Sequence, residues 1–129
     1  MKLRAQREGL AIPATIVTAN LPKDTLVSIT ADRTVDKAGV NAHAVGRVAV
    51  PSRTASGIGT IETRYKELVE IKGSGVLAAG AMVKLAAVDG TTGENVVVAW
   101  VSGTDGAERL YGVVWKGGAS GATLEVLAF

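Results

Sequence analysis

Short runs of Val, Ile, Leu and Thr recur along the chain, broken every few residues by Gly, Pro, Asn or Asp. That is the punctuation of strands joined by turns. Strands are predicted at Ile12–Ala19, Thr25–Ala31, Val45–Val50, Met82–Val88, Val96–Val101, Leu110–Trp115 and Thr123–Ala128. Gly59–Lys66 alternates, with Ile61, Thr63 and Tyr65 on one face and Glu62, Arg64 and Lys66 on the other. Asp89-Gly90-Thr91-Thr92-Gly93 signals a hairpin between two strands. Thr104-Asp105-Gly106 and Lys116-Gly117-Gly118 read as further turns. Two stretches compete as helices. Arg33–Ala44 is weakened by its glycines, and Glu62–Ile71 places Tyr65, Leu68 and Val69 at helical spacing against the alternation through Tyr65.

An internal echo accompanies the strands. Leu21–Ile29 aligns without gaps on Leu77–Leu85, at an offset of 56. Val45-Gly46-Arg47-Val48 matches Tyr111-Gly112-Val113-Val114, and Ala55-Ser56-Gly57 with Thr60-Ile61-Glu62 matches Ala119-Ser120-Gly121 with Thr123-Leu124-Glu125. A chain rich in Ala, Gly and Val can produce any one of these by composition; three in the same order point to two degenerate half-repeats closing one small barrel. The expectation is an all-β fold, a small single-domain β-barrel or β-sandwich with at most one or two short helices. Residues 1–11 read as a flexible N-terminal arm and 12–129 as one β-domain.

Composition narrows the function classes. At 129 residues the chain suits one domain. With no Cys, disulfide scaffolds, thiolate metal sites and a cysteine nucleophile are excluded. The longest charge-free run, Gly9–Pro22, is 14 residues with two prolines, short of the about 20 that a membrane-spanning helix needs. Glu8 and Pro13 argue against a signal peptide, so a soluble domain made in the cytoplasm is expected. The whole net charge of +2 sits in residues 1–8, and residues 9–129 carry eleven basic and eleven acidic side chains. The body therefore reads as neutral. Scattered charge and sparse aromatics weigh against nucleic-acid binding.

Few residues point to chemistry. His43 is the one histidine, and no Gly-x-Ser-x-Gly elbow accompanies it. It reads as a loop or helix-cap residue. One His among scattered carboxylates is a poor zinc site. Asp32 with Asp36, and Glu67 with Glu70, could be carboxylate pairs for glycoside hydrolysis, but each has basic neighbours and reads as a surface ion pair. Ser56-Gly57-Ile58-Gly59-Thr60 and Gly73-Ser74-Gly75 lack the Lys-Ser/Thr ending of a phosphate loop, so their glycines read as turn positions. Asp89–Glu94 has too few carboxylates for a calcium loop. No enzyme, cofactor or metal is expected.

Two features are of another kind. Met1–Leu10 is basic and polar, with Leu3 and Leu10 as its apolar anchors, and reads either as a frayed terminus or as an arm that orders on a partner. Val96–Val98 is an apolar triple, which calls for burial on both faces, against another subunit or as a central core strand.

The ordered motifs resemble those of the small phage capsid decoration, or cement, proteins. The similar elements are Pro22–Ile29, Ala44–Ala49, Thr54–Gly57 running into Thr60–Thr63, Leu77–Val83, and Tyr111–Val114 followed by Ala119–Val126. Glu62–Ile71 is more charged than that pattern. The resemblance implies a small β-barrel on the outer face of the mature head, bound to the major capsid protein as a homotrimer and opposing the pressure of packaged DNA. Its setting would be the virion, with neither nucleic acid nor membrane as partner. On this reading Lys2, Leu3, Arg4, Arg7 and Leu10 contact the capsid. The alternative is a phage tail or baseplate module, or a carbohydrate-binding β-domain using Trp100 and Trp115.

Overall fold

A computed structural model describes residues 9–88 and 91–129. It divides into two compact units, Met1–Lys66 and Glu67–Phe129, each of which closes its own five-stranded barrel.

The first barrel is built from β1 (Ala11–Ile16), β2 (Leu26–Ala31), β3 (Thr34–Lys37), β4 (Gly46–Val50) and β5 (Gly57–Thr63). The strands run around it in the order β1-β3-β2-β4-β5. β1 and β3 are parallel, and the other four pairings are antiparallel. The interior holds Ile12, Ala14, Ile16, Val27, Val35, Val48 and Ile61, all buried. β-branched side chains dominate because they pack well on a pleated, curved surface. Ile61, Thr63 and Tyr65 are buried, as their alternation predicts.

The second barrel repeats the plan. Its strands are β6 (Glu67–Gly73), β7 (Met82–Leu85), β8 (Val96–Ala99), β9 (Leu110–Lys116) and β10 (Thr123–Ala128). Their order is β6-β8-β7-β9-β10, again with only the first pairing parallel. Leu77, Val83, Val97, Val114, Leu124 and Val126 form its core. The half-repeats are therefore present, but each closes a barrel of its own instead of sharing one. The strand registers explain this: every pairing partner lies in the same half, so each set of five satisfies its own backbone edges.

The registers also test the sequence alignment. Val27 opposes Gly46 and Val83 opposes Gly112, as the first two matches require. The third match is slipped. Ile61 lies beside Ile12 and Val48, and its counterpart beside Val69 and Val114 is Val126, not Leu124. For Thr60–Glu62 the slip is two residues, which leaves each side chain on its original face, so hydrophobicity alone does not reveal it; at Ser56 it is one, which makes Gly121 its counterpart.

Neither helix candidate is helical. Arg33–Ala44 contains β3 and a loop, and Glu62–Ile71 contains the end of β5 and most of β6. Among the described residues the helical content is a single 3-10 turn, Ala107–Arg109, so no helix there is long and apolar enough to cross a membrane. The Val96–Val98 triple does not have both faces buried. Val97 alone is fully buried, and its neighbours are half-buried. Both faces are instead buried along Gly112–Trp115 and Val126–Ala128.

Candidate functional site

Of the five residues expected to contact a partner, Lys2, Leu3, Arg4 and Arg7 lie outside the described residues. Leu10 is described, and its backbone is bound to the first barrel. Its N–H donates to the Tyr65 carbonyl at 3.0 Å, and its own carbonyl accepts from the Thr63 N–H at 2.8 Å. At Gly9 a Cβ would collide with the Thr63 carbonyl, so only glycine allows this close approach. The arm's tether is thus the end of β5, with Leu10 already part of the barrel.

Beneath the tether stands a polar cluster. The Tyr65 side chain is buried and its hydroxyl lies 2.8 Å from His43 Nε2. Burial raises the Tyr65 pKa, and burial together with the Arg64 charge lowers that of His43, so both are held neutral near pH 7. The bond ties the loop after β3 to the end of β5. His43 is therefore a loop residue, as its sequence setting indicates. On the outer face of the same barrel, Arg47 bridges Glu62 at 3.0 Å and Asp24 at 3.3 Å. These charges close on one another.

The second unit carries one comparable knot. Asp105 is buried in the turn before the 3-10 segment. It accepts from Lys84 Nζ at 2.5 Å and from the Val101 N–H at 2.8 Å. Those two bonds, the Lys84 one foremost, hold its carboxyl below the usual Asp range. The Trp100 indole N–H donates to the Gly106 carbonyl at 3.0 Å, closing the same loop. In the sequence Thr104-Asp105-Gly106 registers only as a turn. The signal was Asp105 itself, whose short carboxylate can cap nearby backbone N–H groups.

The remaining candidates fall apart as sites. Glu70 opposes Glu125 across β6 and β10, and Glu67, three residues earlier in the extended strand, opposes Ala128. Asp36 on β3 is bound by Thr18 and by the Lys37 amide, which outweigh its burial and lower its pKa. Asp32 sits in the β2–β3 turn, where its carbonyl accepts from the Thr34 hydroxyl. The Ser56-Gly57 turn is tied by Ser52, whose hydroxyl donates to the Thr54 carbonyl at 2.6 Å. Trp115 is buried and Trp100 half-buried. Among the described residues, no group of three His, Asp or Glu side chains could hold a metal ion.

Charge looks different once the two units are known. Met1–Lys66 holds ten basic and five acidic side chains, a formal +5, and Glu67–Phe129 holds four basic and seven acidic, a formal −3. The neutrality read for residues 9–129 is a cancellation between halves.

No protein-family model and no curated protein matches the chain.

Proposed function

We propose that this protein is a structural component of a phage virion that binds the outer surface of the capsid and stabilises the mature head against internal DNA pressure. The observation that carries the reading is the tether. Leu10 is pinned by main-chain hydrogen bonds to Thr63 and Tyr65, and Gly9 lies close against the Thr63 carbonyl, which gives the basic segment Lys2–Arg7 a fixed base from which to engage a partner. A second feature agrees with it. β1, β4 and β5 turn Ala11, Pro13, Val50, Ile58 and Thr60 outward, and Ile58 is 70 % and Val50 57 % exposed. Exposed apolar strand faces of this kind suit modest contacts repeated over many copies on a symmetric shell.

The chemistry of the described residues suits a scaffold. Arg47 is ion-paired with Glu62 and Asp24, Lys84 is bonded to Asp105, and His43 is spent on Tyr65. A sugar-binding module would want an exposed aromatic platform, and Trp115 is buried while the Trp100 N–H is bonded within its own loop.

The test is thermal release of DNA from filled heads of the phage that carries this protein. Heads saturated with the protein should retain DNA to a higher temperature than bare heads. Release at the same temperature with and without it would overturn the reading.

A further inference from the structure

The two barrels share one topology and carry opposite charge. On the first unit Lys23, Lys37, Arg53, Arg64 and Lys66 are all exposed. The second unit has an open groove of about 710 Å³ on its barrel, edged by Glu70 and Glu94 with Lys72, Asn95 and Tyr111. Glu67 and Glu108 add exposed negative charge elsewhere on that unit. Like-with-like pairing of copies would bring +5 against +5 or −3 against −3, and such juxtapositions are costly. Unlike pairing sets the net positive unit against the net negative one.

From this we infer that a second copy of this chain is the partner of the acidic groove: copies join head to tail, the basic first barrel of one against the Glu70–Glu94 groove of the next. Such a contact is heterologous, with different patches meeting, so it closes into a ring where the rotation permits. The inference deepens the decoration reading by naming how neighbouring copies touch. Its test uses free protein without heads, so the failure of one is distinguishable from the failure of the other.

The experiment is sedimentation equilibrium of the full chain at about 0.01 M ionic strength, where the Debye length is about 30 Å, and at about 1 M, where it is about 3 Å. Association should weaken at least about tenfold at high salt. Two variants sharpen the test. Lys23→Glu with Lys37→Glu and Arg53→Glu takes the first unit from +5 to −1, and Glu70→Lys with Glu94→Lys takes the second from −3 to +1. All five positions are exposed, and circular dichroism checks that each variant is folded. Each variant alone should be monomeric at low salt, because its two units now carry the same sign, while an equimolar mixture should associate. A wild-type chain that is monomeric at both salts, an oligomer indifferent to salt, or variants that self-associate like wild type would each overturn the inference.

Discussion

Ile16 lies over Gly59, its Cδ1 2.6 Å from where a Cβ on that glycine would stand. The second barrel makes the same diagonal contact with the sizes exchanged. β6 supplies Gly73 where β1 supplies Ile16, and β10 supplies Leu124 where β5 supplies Gly59. Leu124 Cδ1 comes within 2.7 Å of a Cβ built on Gly73. One large and one absent side chain meet at that corner in both halves, an exchange of sizes that conserves volume.

A first prediction follows from what surrounds each glycine. Gly59→Ala and Gly73→Ala should each destabilise by about 1–3 kcal/mol through overpacking. The nearest atoms at Gly73 all belong to the side chains of Leu124 and Leu77, whereas at Gly59 the Val50 carbonyl and the Ser52 amide also crowd in. Leu124→Val should therefore rescue Gly73→Ala more fully than Ile16→Val rescues Gly59→Ala. Urea unfolding of both double-mutant cycles would measure this, and equal rescue would contradict it.

Gly46 and Gly112 should respond alike and more severely. At each a Cβ would strike a backbone carbonyl of the adjacent strand, that of Glu62 in one barrel and Leu127 in the other. No rotamer change relieves such a clash, so alanine at either position should cost about 3 kcal/mol or prevent folding. Soluble expression and thermal unfolding of the two single variants would show it, and a tolerated alanine at either would count against the register.

The Lys84–Asp105–Val101 knot predicts an acid limb. Asp105 has its pKa lowered from the ordinary 3.8 by its hydrogen bonds. Between the folded and unfolded values the unfolded chain binds more protons. The stability Asp105 contributes is therefore complete above pH 3.8 and is lost as pH falls through the lower folded value. Asp105→Asn should lower the melting temperature at pH 7, with the gap to wild type closing under strongly acidic conditions. A gap that stays constant with pH would contradict the charged form.

His43 predicts a second window in the same direction. Its folded pKa is lowered from 6.5 by burial and by Arg64, so the unfolded chain again takes up protons first. Stability should be full above pH 6.5 and should fall as pH drops through the folded value. His43→Gln should flatten that slope without changing the acid limb of Asp105. Melting curves at half-unit pH steps would separate the two.

The repeat and most strands were legible because in-out alternation and turn residues survive in both halves: Val27 and Val83 are matched and buried, as are Val48 and Val114. β3 was hidden because its hairpin turns at Arg33, which takes a φ of 51° where glycine or asparagine would have announced the turn. Asp24 and Ser56 hide turns in the same way, at φ 70° and 53°, while their counterparts Gly80 and Gly121 display them. β6 was masked by its charges: Glu70 and Lys72 face outward from a barrel that Val69 and Ile71 help to fill, and Glu67 is exposed at the strand's start. The His43–Tyr65 contact joins residues 22 apart in sequence through barrel closure, which no local pattern encodes.

The most direct measurement is co-sedimentation of the full chain, and of a chain lacking residues 1–8, with expanded and unexpanded heads. Removing those eight residues keeps Gly9 and Leu10 on the barrel, so the truncated chain should stay folded. The account predicts saturable, near-stoichiometric binding of the full chain to expanded heads and loss of that binding on truncation. No binding of the folded full chain to either kind of head, or equal binding without the arm, would contradict it.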